Sequence, residues 1–426
     1  MGALMSWGEN IEVLMELGFP SRVFTLDSAE FGVLDENYLD GTLLGDDVSE
    51  YCQQISINRG RTNQFTNFSA GNCSITLLNN DRRFDPINED SPYWNPVLGV
   101  SGVEPRRKVT VISNGVKLFV GRITDIDVSY QPHPNDLTYE LSTVTITAAD
   151  DFVLLASTFI NELEPDEELS GTRVTTILDL PEIAYPVASR NIASGVSTFG
   201  GGAQFLIEAA TNALTYLQNA ATSEQGSFYV AGDGDLVFTD RIQAVFTAPE
   251  ASFSDAGTDI PYTELSVSYG QEFLYNKVIC MVQNGVDQVA NYVPSQEEYG
   301  ISTLNLQNLL LATDAQALEL AENLVARYNE PQYNFDNLKS VYNGLDSLDQ
   351  DLLTNIELMD VIEITRTFPV GSPASVTLDY GVQFINHDIS PSSHSVKFGL
   401  FPADIVYPFT LDDELYGVMD STNALV

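Results

Sequence analysis

Two stretches of this chain are built from short runs in which apolar and polar residues alternate, broken by Asn, Gly, Pro and Asp. A period of two sends successive side chains to opposite faces, so each run buries one face only and the runs must assemble into a barrel or sandwich. In the first stretch the candidate strands are 52–58, 72–78, 108–113, 116–126 and 143–148. Asn114-Gly115 separates two of them and predicts a two-residue hairpin, because both turn positions want φ above zero. In the second stretch the candidates are 264–269, 276–283, 360–365, 375–378 and 395–399.

The intervening chain has a different period. A helix is expected over 204–223, with Leu206, Ala210, Ala213, Leu214, Leu217 and Ala221 on one stripe. After it, 227–230 and 236–239 flank Gly232-Asp233-Gly234 as a hairpin whose Phe228, Val230, Leu236 and Phe238 share the face that a helix can cover. A second helix opens at Thr313-Asp314 and runs to Tyr328, with Leu318, Ala321 and Val325 inward. The expected fold is mainly β with an α+β insertion. It comprises an N-terminal arm (1–49), a first tube-like β-barrel domain (50–157), a small α/β module (158–255), a second tube-like β-barrel domain (256–405) holding helix 314–328, and a C-terminal arm (406–426). The acidic stretch 161–168 reads as an extended linker, since its like charges repel.

The two arms share a motif. Residues 24–35 and 409–420 align with seven of twelve positions identical, beginning Phe-Thr-Leu-Asp in both copies. Phe24, Leu26, Phe409 and Leu411 are therefore candidate docking residues, and the two copies are expected in equivalent grooves.

Charge limits the partners. The chain has 60 Asp and Glu against 18 Lys and Arg, a net charge of −42. Neutralising nucleic-acid phosphates takes a basic footprint that this chain cannot assemble. Nine of the 18 bases nevertheless lie between Arg59 and Arg122. Arg59, Arg61, Arg82, Arg83, Arg106 and Arg107 are the candidates for a face that docks an acidic protein, and carboxylates are expected to line any channel. A carboxylate-lined opening repels phosphates, so a duplex can pass without adhering, and DNA is a partner only in passage.

No nucleophile elbow, zinc-protease motif, phosphate-binding loop or dinucleotide fingerprint occurs in the sequence. His133 lies between two prolines, and His387 and His394 share a segment that reads as a connection between late strands. Cys52, Cys73 and Cys280 have no metal-ligand spacing. No catalytic, cofactor or metal residue is assigned. No apolar run is long enough to span a membrane, and residues 1–19 lack a basic leader, so a secretory signal is not expected.

Several segments, taken in order, resemble the tail-tip or baseplate hub proteins of long-tailed bacterial or archaeal viruses. They are Ile57-Asn58-Arg59-Gly60-Arg61, Ala70-Gly71-Asn72-Cys73, Asn79-Asn80-Asp81-Arg82-Arg83-Phe84-Asp85-Pro86, Ser91-Pro92-Tyr93-Trp94, Pro105-Arg106-Arg107-Lys108-Val109, Tyr275-Asn276-Lys277-Val278 and Ala326-Arg327-Tyr328-Asn329-Glu330-Pro331. The resemblance implies a non-enzymatic virion protein at the distal end of the tail. Three copies, each with two tube-like domains, would present a pseudo-sixfold ring to a hexameric tail tube or distal tail protein. They would hold the tape-measure protein, anchor a tail fibre or receptor-binding protein, and open for genome ejection. A receptor- or glycan-binding adhesin is the alternative, and a wall hydrolase is the third reading.

Overall fold

The computed structural model describes residues 10–17, 46–96, 99–132, 140–241, 248–257, 259–403, 407–408 and 423–424. The shared arm motif, with Phe24, Leu26, Phe409 and Leu411, lies outside them, as does His133.

The first half contains β1 (Ile11–Met15), β2 (Asp46–Asp47), β3 (Cys52–Gly60), β4 (Ser69–Leu78), β5 (Trp94–Asn95), β6 (Val100–Ser101), β7 (Lys108–Ser113), β8 (Val116–Pro132) and β9 (Glu140–Ala149). Apart from the small β5–β6 pair, these strands bond side by side in the order β2-β1-β7-β8-β9-β4-β3, every neighbour antiparallel. The alternation in sequence becomes alternation in burial: Val109, Val111 and Ser113 point inward from β7, and Cys73, Ile75 and Leu77 from β4. Asn114 and Gly115 turn at φ 47° and 87°, the mirror-image turn that right-twisted strands require. The peripheral arm expected over 1–49 does not hold for Ile11–Met15. There Val13 and Met15 are fully buried, and the strand pairs with β7 because its apolar residues recur with period two.

The middle module contains α1 (Phe152–Ala156), β10 (Phe159–Ile160), β11 (Glu168–Leu169), α2 (Ser170–Leu178), β12 (Arg190–Ile192), β13 (Thr198–Phe199), β14 (Thr211–Asn212), α3 (Ala213–Glu224), β15 (Ser227–Val230) and β16 (Leu236–Thr239). Helix α3 starts later than its apolar stripe suggests, because Asn212 caps it by accepting from the Thr215 amide and Ala210 turns at φ 65°. All eight residues of the β15–β16 hairpin are buried, so both its faces are covered where one was expected. The acidic linker is not free. Its end wraps the fully buried Arg173, whose guanidinium donates to Glu168, to the Asp166 and Gly200 carbonyls and to the Tyr216 hydroxyl.

The second half contains β17 (Ala251–Ser254), β18 (Ile260–Pro261) and β19 (Glu264–Gly270), followed by an insertion of β20 (Lys277–Val282), β21 (Gln288–Asn291), α4 (Val293–Tyr299), β22 (Thr303–Leu309) and α5 (Asp314–Tyr328). It resumes with β23 (Gln332–Val341), α6 (Ser347–Asn355), β24 (Val361–Thr367), β25 (Ser375–Ser390) and β26 (Ser393–Pro402). Thr313 and Gln316 close α5 with a reciprocal capping box.

These strands bond in the order β18-β17-β24-β25-β26-β23-β19. In chain order the seven correspond one to one with β2-β1-β7-β8-β9-β4-β3, so the molecule contains the same seven-strand unit twice. The one difference in direction is at the end of each path: β17 runs parallel to β24 and β18, whereas β1 runs antiparallel to β7 and β2.

No closed barrel forms among the described residues, which corrects the expectation of two separate barrels. Each seven-strand path stays open because its end strands are not bonded to each other, and the two units merge into one sheet. The seam is β3 against β25, antiparallel from Gly60 opposite Phe384 to Ile55 opposite Ile389. The first unit keeps its own apolar core, from Ile11 to Ala148 with Ile389 added from across the seam. The second unit shares its core with the middle module and the insertion, where Phe228, Phe253, Phe335 and Phe398 are buried together.

Candidate interface site

The seam explains the sequence around Arg59-Gly60-Arg61. Gly60 has φ +124°, and a Cβ there would stand 2.3 Å from the Gln383 carbonyl oxygen and 2.6 Å from the Phe384 Cα. Only glycine permits that approach. On one side Arg59 is 4 % exposed and pairs at 2.6 Å with Glu357, which also accepts from the Gly232 amide at 2.7 Å. Its charge is therefore used inside the molecule, bolting β3 to the segment before β24. On the other side the Arg61 amide donates to the Gln383 carbonyl at 2.8 Å. Its guanidinium lies 4.7 Å from the Phe68 ring centre and 5.7 Å from that of Phe401.

Arg82, Arg83, Arg106 and Arg107 lie elsewhere, all on the 79–107 connection between β4 and β7. The turn chemistry of Asn79-Asn80-Asp81 and Asp85-Pro86 sets their backbone: Asn79 accepts from the Phe84 amide, Asp81 from Arg83 and Asp85 from Ile87. Arg82 forks onto Asp85 through Nε at 3.1 Å and Nη2 at 2.8 Å, and the Tyr130 hydroxyl of β8 donates to the same oxygen at 2.6 Å. Against the cost of burial, the bonds from Tyr130 and Arg82 hold the Asp85 carboxyl below the usual carboxylate range. Arg83 pairs with Asp81 and sits 4.1 Å from the centre of the Tyr51 ring, and Arg107 pairs with Glu104. Arg106 is exposed at φ 70° and makes no ion pair among the described residues. The structure thus divides the six arginines into four on one loop and two at the seam.

His387 and His394 were also legible as a pair, although not as a buried one. They face each other from β25 and β26, ring nitrogens 3.0 Å apart, both almost fully buried, with Tyr342 stacked on His394. Burial, then the neighbouring His394 and Arg59, push the His387 pKa well below its ordinary value, so it stays neutral. The three cysteines are buried free thiols whose pKa values burial pushes up. Among the described residues no cluster of His, Cys, Asp or Glu could hold a metal, and no helix is long and apolar enough to cross a membrane.

Sequence reasoning missed which strand edges are open; beyond the two-residue end strands β2 and β18, two longer ones stand out among the described residues. In the second unit β25 pairs with β24 only as far as Gly381, and the following edge takes β3. In the first unit β8 pairs with β7 only as far as Arg122, and the following edge, from Thr124 to Gln131, has no strand partner among the described residues. At the other end of the sheet β19 is bonded on one side only, and its Tyr269 is 71 % exposed. No warning of this edge was legible in the sequence, since Leu265, Val267 and Tyr269 alternate onto one face as in a half-buried strand.

No protein-family model and no curated protein matches this chain. Among solved structures it is similar to the 43 kDa tail protein of prophage MuSo2 from Shewanella oneidensis, with a TM-score of 0.55 and 12 % identity over 93 % of this chain and 99 % of that one. It is also similar to the tail protein from Neisseria meningitidis MC58, with a TM-score of 0.55 and 10 % identity over 92 % and 96 %. At such identities the likeness is one of fold, and that fold extends over nearly the whole of all three chains.

Proposed function

We propose that this chain is a non-enzymatic structural protein of a virion tail, a tail-tip hub whose copies join into a ring around an axial opening. The observation that carries the reading is the repeated unit with its single internal seam. Strand β3 of the first unit occupies the open edge of β25 in the second; the corresponding strand of the second unit, β19, and the corresponding edge of the first, β8, each lack a strand partner there among the described residues. Placing β19 of one copy on β8 of the next repeats the seam between molecules. Three copies then present six units, the number that suits a hexameric tail tube.

The register follows from the pairing within the chain. Ser56 lies opposite Ser74, which lies opposite Thr147, and Thr147 opposite Asp125, the first paired residue after the bulge in β8. Ser266 lies opposite Asn337, then Gly399, then Phe384, the first paired residue after the bulge in β25. Ser266 is therefore the counterpart of Ser56. Since Ser56 faces Asp388, four residues beyond Phe384, Ser266 faces Ser129, four beyond Asp125, in the next copy. That register sets Glu264 against Gln131 and Gly270 against Asp125, with no like charges opposed.

In this reading the 79–107 arginines meet the tail tube, tape-measure or receptor-binding components, and carboxylates line the opening through which DNA leaves. The test is chemical crosslinking of Ser129→Cys with Ser266→Cys by a short thiol-reactive linker, on the purified chain and on virions, beside imaging of the purified chain. Trimers crosslinked at that pair and a threefold ring are expected. A compact monomer in solution, together with virions in which the pair does not crosslink, would overturn the reading.

A further inference from the structure

Nine of the twelve arginines among the described residues form an ion pair, as a chain with 60 acids would lead one to expect. The other three are Arg61, Arg106 and Arg327, and two of these, Arg61 and Arg327, line the same cavity of about 110 Å³. The cavity lies where the β3–β4 loop, α3, α5 and β26 meet. Its lining also holds Arg241, already paired with Glu224, and a single carboxylate, Asp240. With Arg241 and Glu224 offsetting each other, Arg61 and Arg327 against Asp240 leave the wall one charge positive, inside a molecule at −42. Arg61 Nε is sealed from solvent without a hydrogen-bond partner. Burial pulls the Arg61 pKa down to about 10, with only the Tyr328 hydroxyl acting the other way. A buried, charged donor in this state is costly unless something accepts from it.

We infer that this cavity is a binding site for a carboxylate carried on an acidic, apolar-flanked peptide segment of a partner protein. A guanidinium fork matches a carboxylate through two parallel hydrogen bonds. A volume of about 110 Å³ holds more than a single water and suits one acidic side chain. The half-buried Phe65 lines the same space, so an apolar neighbour of the acid finds a ring to pack against, which a free hydrated inorganic anion would not use. The amides of Gln64 and Asn67 supply further donors. Nothing in this site depends on the ring proposed above, and it can be tested on the isolated chain.

Calorimetric titration of the full chain decides the matter with three probes: a capped acidic peptide of sequence Phe-Ser-Asp-Glu-Asp-Ser-Leu, its neutral counterpart with Asn and Gln in place of the acids, and inorganic phosphate. The acidic peptide should bind, and the neutral one on the order of 10-fold more weakly, the effect of losing charge-assisted hydrogen bonds. Arg327→Gln, on a half-exposed helix position, and the conservative Arg61→Lys should each weaken the acidic peptide about 5-fold or more. Binding of neither peptide, equal binding of both, unchanged binding to both variants, or phosphate binding tighter than the acidic peptide would overturn the assignment.

Discussion

The two seven-strand units differ less in their strands than in what has been inserted between them. The first carries the 79–107 loop with its four arginines between β4 and β7, and it encloses a core of its own. The second carries β20–β22 and α5 between β19 and β23, and it shares its core with the middle module. The frame is thus repeated while its attachments are not. One unit is free to present a loop; the other is anchored to helices. The seam joins their strands into one sheet, with contacts such as that of Asn114 with Tyr342 beside it, so perturbing it should tell how far they depend on each other.

The largest effect is expected from Gly60→Ala, whose Cβ would collide with the Gln383 carbonyl. Relieving the contact means opening the seam or straining a backbone at positive φ, a loss of about 3 kcal/mol or more. Denaturant unfolding should show a lowered midpoint; a loss below about 1 kcal/mol would mean that the units barely depend on this contact.

Arg59→Met comes next. It leaves Glu357 without its cation while the carboxylate still accepts from Gly232. Because Glu357 is 27 % exposed, the loss should be about 2 kcal/mol, between a surface pair and a fully buried one. Replacing both residues, Arg59→Met with Glu357→Leu, should recover part of it in the same assay, since no charge is then left unpaired. Failure to recover would show that the cost lies in packing and in the Gly232 amide left without its acceptor.

The smallest effect concerns pH. His387 is held neutral in the folded chain, whereas in the unfolded chain it takes up a proton below its ordinary pKa of about 6.5. Its stabilising contribution is complete above that value and is lost as pH falls, by up to about 1.4 kcal/mol at pH 5.5. Asp360, pushed up to about 6 by burial, and Asp150, pushed up to about 7 by burial, have the opposite slope and lose stability as pH rises. The wild type alone therefore mixes both signs, and the useful comparison is with His387→Phe. Between pH 7.5 and 5.5 that variant should lose about 1 kcal/mol less than the wild type. Equal losses would show that His387 does not titrate across this range.

What the sequence revealed of this comparison was local. The Asn114-Gly115 turn, strand 108–113, the β15–β16 hairpin and the capped helix ending at Tyr328 were all legible because neighbours in sequence set them. Other features depend on partners far along the chain. The burial of Arg59 requires Glu357, and the reason for Gly60 is Gln383. The module's early helix α2 was hidden because its defining residue, Arg173, looks like a surface charge until Tyr216 and Gly200 close over it. The repeat itself was hidden too, since it resides in the order of strands and not in shared residues. The pairing of Arg61 with Arg327 in one cavity could be seen only once α5 was placed beside the β3–β4 loop.

The edges of β19 and β8 that lack a strand partner among the described residues are unlike each other, and a joint between them restricts what growth is geometrically allowed. Where β19 of one copy joins β8 of the next, the joint is head to tail and each added copy leaves the same pair of edges exposed. Such growth ends only if the rotation per copy divides the circle, and otherwise it continues as an open helix. The twist across β3 and β25, repeated at every joint, would then set the number of subunits, and a substitution that altered that angle would turn a finite particle into a filament without weakening a single contact.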